Sequence, residues 1–365
     1  MLLIFILITI FLTSFIISNL VCRFVIRRPM LDNAASERHK THVGSMPTGG
    51  GIGIWLGVLI PTVVGCVGLV VIKMFPSLQE FLPEFIRVHV PGLWYRLDQL
   101  AVLITVGSVL AIVGTIDDKF KLSWKLRLAL QSLAAIVVVS YGFRFTIFID
   151  WQAAAFVLNV LWIVALTNSF NMLDNMDGLS GGVAAICSAF LIAVMLIAPQ
   201  ATGAQLFIAS FLTLLFGALA GFLTFNNPFR TSLFMGDGGA YFIGFTIASL
   251  TTVATYYEQT GIPKPQLIFV PILILAVPIY DTITVVSVRI CEARSPFAGD
   301  KSHFSHRLVA KGLSRRNAVL TIYLTTTVCS LGSLLLYQVN FFGAVVIAVQ
   351  TLLLLVLVGV LELRD

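Results

Sequence analysis

Asp117 and Asp118 stand side by side at the end of an apolar run, with Lys119 directly after them. A helix ending there holds two carboxylates where its macrodipole disfavours negative charge. Neighbouring helical positions diverge by about 100°, so one acid can face a cation or a phosphate while the other turns elsewhere. Asn171, Asp174 and Asp177 recur at a spacing of three, which predicts one shared helical face. Gly178, Gly181 and Gly182 follow, allowing a tight turn and close approach of a ligand to the backbone. A plain polar turn has no need of such an Asn/Asp face; a nucleotide or a metal ion does.

Asp237 lies within Phe234-Met235-Gly236-Asp237-Gly238-Gly239, ahead of another apolar run. It is either an N-cap or an oxygen ligand for Mg²⁺ beside a diphosphate held by free backbone amides. Asp281 precedes Arg289 by eight residues, which puts it roughly 12 Å inside a predicted span. An unpaired charge at such depth costs about 2.5–3.5 kcal/mol, so Asp281 must face the bundle interior, as a structural partner or as a reacting group. The last cluster is Asp300-Lys301-Ser302-His303-Phe304-Ser305-His306-Arg307. His303 and His306 can share a helical face, but no third ligand stands at zinc spacing. A cation-rich pocket for phosphate oxygens fits better than a merely basic surface loop, with Arg307 able to bind them bidentately. Carboxylates for a divalent cation, cations for phosphates and glycine turns are the parts that phosphoryl transfer between a soluble nucleotide and a lipid requires.

The elements that must position these groups are membrane helices. The chain is 58% hydrophobic and 11% charged, against roughly 25% charged residues in soluble domains. Eleven apolar segments have the roughly 17 to 25 residues that a crossing needs: 2–22, 51–74, 100–116, 126–143, 151–167, 183–198, 204–224, 240–257, 267–289, 318–337 and 342–361. They predict an all-α polytopic membrane protein made of one integral-membrane domain, residues 1–365. The first segment has no positively charged start and is expected to remain as a helix rather than be cleaved. Cys22, Cys66, Cys187, Cys291 and Cys329 are scattered without a Cys-x-x-Cys pair, so neither a disulfide framework nor a zinc cluster is expected.

Threading the segments puts 18 of the 23 Lys and Arg on one side. By the positive-inside rule that side is cytoplasmic, with the N-terminus outside and the C-terminus inside. Four of the five clusters fall at that face and Asp281 lies near it, although hydropathy and basic residues alone set the threading. The net charge of +6 belongs to these loops, where it attracts lipid headgroups and phosphate ligands rather than nucleic acid. Segment 75–99, with Pro76, Pro83 and Pro91, is expected to lie on the outer leaflet.

With these residues in view, the sequence resembles the polyprenyl-phosphate N-acetylhexosamine-1-phosphate transferases, the superfamily that includes the phospho-MurNAc-pentapeptide translocase. The likeness runs over nearly the whole chain, from Arg38-His39-Lys40-Thr41-His42 and Pro47-Thr48-Gly49-Gly50 through the Asp117, Asn171 and Asp237 clusters to Asp300-Lys301-Ser302-His303. It implies transfer of a sugar-1-phosphate from a UDP-sugar to undecaprenyl phosphate with release of UMP, starting a cell-envelope glycan at the cytoplasmic face of a bacterial inner membrane. On that resemblance Asp237 and Asn171 hold Mg²⁺, or Mn²⁺ in its place. Asp117 or Asp118 acts as general base on the lipid phosphate, or one carboxylate attacks as nucleophile. Lys121 and Lys125 bind phosphate, Asp174 belongs to the substrate surface, Phe234 and Asp177 meet the uridine, and His303, His306 and Arg307 meet the sugar-phosphate end. The loop 301–307 is similar to the GlcNAc type rather than to the translocase, which has three consecutive histidines; Ser305 stands where close relatives often carry His. A homodimer is compatible with this reading. The alternatives are a translocase-like activity, a secondary transporter, whose site would lie nearer the midplane, and a lipid-binding scaffold.

Overall fold

The computed structural model describes residues 2–28, 30–31, 46–145, 151–197, 203–254, 265–296 and 302–363. Arg38, His39, Lys40, Thr41, His42, Asp300 and Lys301 of the sequence motifs lie outside these. The described chain is mainly helical, with two short antiparallel strand pairs. In order it runs α1 (Leu2–Arg27), β1 (Met30–Leu31), β2 (Pro47–Thr48), α2 (Gly50–Met74), α3 (Glu84–Tyr95), α4 (Leu97–Phe120), α5 (Trp124–Ser140), α6 (Gln152–Leu173), α7 (Leu179–Ile197), α8 (Gly203–Leu223), β3 (Asn226–Asn227), β4 (Arg230–Thr231), α9 (Asp237–Val253), α10 (Val270–Ile274), α11 (Ala276–Cys291), α12 (Phe304–Ala310), α13 (Arg315–Leu335) and α14 (Phe341–Leu363).

Among the described residues, eight helices are long and apolar enough to cross a membrane, or nine if a bent pair is counted as one span. Ten of the eleven predicted segments each overlap one helix in their described residues; α5 and α9, with 17 residues apiece, are among the shorter ones. Segment 267–289 departs from a straight span. It breaks between α10 and α11 with a 70° bend. Pro278 supplies the reason, since it has no N–H to offer the carbonyl of Ile274 one turn earlier. That carbonyl instead accepts from Cys187 Sγ of α7 at 3.2 Å. Segment 75–99 contains a 3-10 turn, Pro76–Phe81, and α3, and both present exposed apolar residues such as Phe81 and Tyr95.

Burial follows from a solvent that cannot satisfy backbone groups but accepts apolar side chains. On α1, Phe5, Ile8, Leu12, Ile16, Leu20 and Phe24 are exposed, while Ser14, Ser18 and Cys22 are buried. Ser14 Oγ donates to the carbonyl of Leu214 at 2.6 Å and Ser18 Oγ to that of Ala218 at 2.8 Å, so small polar residues join α1 to α8, as membrane helices require. At the centre stands α9, buried at every position from Gly238 to Thr252 and packed by α4, α6 and α2. Because protein surrounds α9 on all sides, whatever its N-terminal end carries lies against neighbouring helices.

Candidate active site

Three backbones meet at the start of α9, and glycines permit it. A Cβ on Gly114 of α4 would sit 2.5 Å from the Cα of Gly238. One on Gly51 of α2 would sit 2.3 Å from the nitrogen of Gly239. The strand before α9 is pinned as well. Phe234 N–H donates to Pro47 O at 2.9 Å, Gly50 N–H to Phe234 O at 2.8 Å and Gly51 N–H to Met235 O at 2.9 Å. Two motifs far apart in sequence are thus one strand pairing, with half-buried Phe234 in it. Gly236 caps α9 at φ 80°, a conformation natural to glycine.

These contacts bring the carboxylates together. Asp118 Oδ1 accepts the N–H of Asp237 at 3.0 Å and also faces the N–H of Gly238. The amides at the head of α9, expected to await a diphosphate, are therefore held by Asp118. Asp237 is the first residue of the helix rather than its cap. Its Oδ1 accepts from Asn171 Nδ2 at 2.8 Å. Asp117 is different in kind. It is buried, and its oxygens accept from Leu122 N–H at 2.7 Å, Arg127 Nη1 at 3.1 Å and Tyr241 Oη at 2.9 Å. Its own carbonyl takes the N–H of Lys121, which closes α4 in the left-handed region at φ 52°. Asp117 is a helix-end anchor that also borders Asp237.

The expected single face of Asn171, Asp174 and Asp177 is corrected. Helix α6 stops at Leu173, so Asn171 is helical, Asp174 is the C-cap and Asp177 lies in the following turn. The turn is fixed by Gly178, at φ 75°, whose N–H donates to Asn226 Oδ1 at 2.5 Å and whose carbonyl accepts from Tyr323 Oη. The three still serve one surface. Burial, then the negative charges of Asp237, Asp118 and Asp177, raise the Asp174 carboxyl well above the usual carboxylate range. Lys121 acts on Asp118 from the solvent side. Lys125 is exposed over the Trp124 ring, 5.7 Å from its centroid.

A second wall comes from α11, α12 and α14. Asp281 is buried, with Oδ2 3.0 Å from His303 Nδ1 and Oδ1 accepting Phe304 N–H at 2.6 Å. His306 follows, its ring 6.4 Å from that of His303. Ser305 Oγ donates to Asn175 Oδ1, tying α12 to the turn that carries Asp174 and Asp177. Arg307, expected as a bidentate phosphate ligand, is held within the protein. Its Nε donates to Glu362 Oε2 at 2.8 Å, Nη2 to Thr284 Oγ1 at 3.0 Å and Nη1 to the carbonyl of Ser302. Tyr280 Oη shares Glu362 Oε2 at 3.2 Å.

Arg127, Tyr241 and Glu362 escaped sequence reasoning. Glu362 did leave a signal, as an acid at the end of an apolar helix, and Arg127 lies two residues from Lys125; nothing in the sequence marks Tyr241.

Four carboxylates crowded on one surface, with the Asn171 amide on one of them, form a set of hard oxygen donors whose mutual repulsion a divalent cation relieves. Among the described residues no group of three or more His, Cys, Asp or Glu is placed to hold a metal ion. Mg²⁺ needs few protein donors, since it keeps waters and takes substrate phosphates as ligands.

Residues 100–255 match the model of glycosyl transferase family 4, a stretch that includes Asp117, Asp118, Asn171, Asp174, Asp177, Phe234 and Asp237. A probable undecaprenyl-phosphate N-acetylglucosaminyl 1-phosphate transferase of Bacillus subtilis is 33% identical over 332 residues, covering 88% of this chain and 81% of the relative. A decaprenyl-phosphate N-acetylglucosaminephosphotransferase of Mycolicibacterium smegmatis is 31% identical, covering 82% and 74%. The undecaprenyl-phosphate alpha-N-acetylglucosaminyl 1-phosphate transferase of Escherichia coli is 26% identical, covering 67% and 68%.

Proposed function

Because this chain belongs to glycosyl transferase family 4, with N-acetylglucosaminyl-1-phosphate transferases among its relatives, we propose that it moves GlcNAc-1-phosphate from UDP-GlcNAc to a polyprenyl phosphate in a bacterial membrane. UMP is the other product. An oxygen of the lipid phosphate attacks the phosphorus that bears the sugar, and the bond from that phosphorus to the oxygen shared with UMP breaks. The observation that carries the reading is the junction of Asp118, Asp237 and Asn171 at the head of α9.

Asp237 and Asn171, with Asp118 and Asp174 beside them, would hold Mg²⁺, or Mn²⁺ in its place. The bound cation would offset the charge that builds on the transferred phosphoryl group and on the leaving nucleotide. Asp118 is assigned the proton of the acceptor phosphate, since Asp117 is committed to three donors. Lys121 and Lys125 guide the phosphates, Phe234 and Asp177 border the uridine, and His303 and His306 meet the sugar-phosphate end. The eleven helical segments are taken as eleven crossings, as one membrane unit with N-terminus outside and C-terminus inside. The basic residues beside the site support a cytoplasmic reaction face.

Purified protein supplied with polyprenyl phosphate, Mg²⁺ and a panel of labelled UDP-sugars tests the proposal. Release of UMP from UDP-GlcNAc is the expected result. Lack of turnover with every UDP-sugar in the panel would remove it.

A further inference from the structure

Asp281 is a cluster residue that the transfer chemistry leaves without a task. It is 1% exposed in the second turn of α11. A buried carboxylate is costly unless its charge is paired and its oxygens are bonded. Both conditions are met by one short segment. Oδ2 lies 3.0 Å from His303 Nδ1, and Oδ1 accepts the Phe304 N–H at 2.6 Å. An N-cap for α12 alone would call for nothing more than Ser or Asn. The charge is used on the imidazole.

We propose that Asp281 is a positioning residue for the transfer site, holding His303 by Nδ1 so that Nε2 is the ring nitrogen presented to the sugar-phosphate. An ionised carboxylate has no proton to give, so the bond requires a hydrogen on Nδ1. That fixes which ring nitrogen is left for substrate. The Phe304 bond fixes the backbone from which the ring hangs, and the Phe304 ring meets Tyr280, the neighbour of Asp281, edge-on at 5.5 Å. Ring, amide and carboxylate form one rigid unit, whose other end is tied to Asn175 through Ser305. The inference rests on the transferase reading and adds the device that aims one of its ring nitrogens.

The test is a double-mutant cycle with Asp281→Asn and His303→Gln in purified protein, measuring kcat, KM for UDP-GlcNAc and melting temperature. Asp281→Asn is expected to lower kcat by about 10- to 100-fold, with KM changed less than about threefold and melting little altered. The double variant is expected to be no slower than His303→Gln alone, because Asp281 acts through that ring. Losses that multiply in the double variant would overturn the proposal. Should Asp281→Asn fail to fold, ¹⁵N-histidine spectra of the unmutated protein decide, with the His303 signal assigned by its loss in His303→Gln. A hydrogen on Nδ1 supports the arrangement, and a bare Nδ1 overturns it. The spectra need no turnover, so an inactive unmutated protein would count against the transferase reading and leave this one to be judged separately.

Discussion

The backbone N–H of Asp237 donates to Oδ1 of Asp118 at 3.0 Å, across 119 residues of sequence. The end of α4 and the head of α9 are thereby one structural unit. The adjacent carboxylate, Asp117, is held by Tyr241 and Arg127 and also borders Asp237.

The two adjacent acids are therefore expected to fail differently. Asp118→Asn should abolish UMP release by about 10³-fold or more, on the scale of a lost charged group at a reacting centre, with melting temperature nearly unchanged. Asp117→Asn should instead destabilise by about 1–3 kcal/mol, because it leaves Arg127 and two other donors less well satisfied. Turnover and thermal unfolding in detergent, measured on both variants, check the split. Equal stability losses would show that the two carboxylates do the same work.

Gly114→Ala tests the backbone contact that brings these groups together. The added methyl would meet Gly238 at 2.5 Å, where no flexible side chain can yield. Overpacking of this kind costs about 1–3 kcal/mol, and the strain is expected to part Asp118 from Asp237 and cut turnover sharply. Gly65→Ala on α2 is the control, since nothing lies within 4 Å of its new Cβ. Normal activity in Gly114→Ala would mean that the close approach of α4 to α9 is dispensable.

What the sequence revealed and what it hid divide along a physical line. Asp117, Asp118, Asn171, Asp174 and Asp237 were visible because a polar group at a membrane helix end needs a reason. The same principle flagged Asp281, whose partners prove to be His303 and the amide after it. Which of the paired acids is the anchor was not visible, because that depends on Tyr241, a residue without local signature that is brought in from α9. The glycine contacts of Gly51 and Gly114 depend on which helices meet, a long-range matter. The bend before α11 was within reach, since Pro278 sits inside the apolar run, but hydropathy averages over it. The shared face drawn for Asn171, Asp174 and Asp177 failed because α6 ends at Leu173, and spacing by three says nothing about where a helix stops.

Asp174 gives the metal-free protein a pH dependence of known sign. Its folded carboxyl binds a proton well above the usual range, whereas an unfolded Asp titrates near about 3.9. The folded state then holds more protons between those two values, and stability falls as pH rises through the folded value. In chelator, the melting temperature is expected to decline from about pH 4 upward. Mg²⁺ should flatten the decline by offsetting the repelling charges, and Asp174→Asn should flatten it without metal. A melting temperature that rises with pH in chelator would reverse the sign and with it the crowding of carboxylates.

Glu362 decides whether Arg307 clamps the α12 segment or binds substrate. Its Oε2 holds Arg307 Nε at 2.8 Å and Tyr280 Oη at 3.2 Å, while Oε1 has no hydrogen-bond partner among the described residues. The side chains are 18% and 5% exposed, so the pair is largely desolvated, and removing one partner from such a pair costs about 3–5 kcal/mol. If the guanidinium works as a clamp, Glu362→Ala and Arg307→Ala should lose similar stability and similar activity. The Arg307→Met, Glu362→Leu double variant should then recover much of the stability, since a well-packed apolar pair often replaces a buried ion pair without loss. Melting temperature, kcat and KM for UDP-GlcNAc across the three variants check this. A loss of activity far greater in Arg307→Ala than in Glu362→Ala would instead put the guanidinium on the substrate.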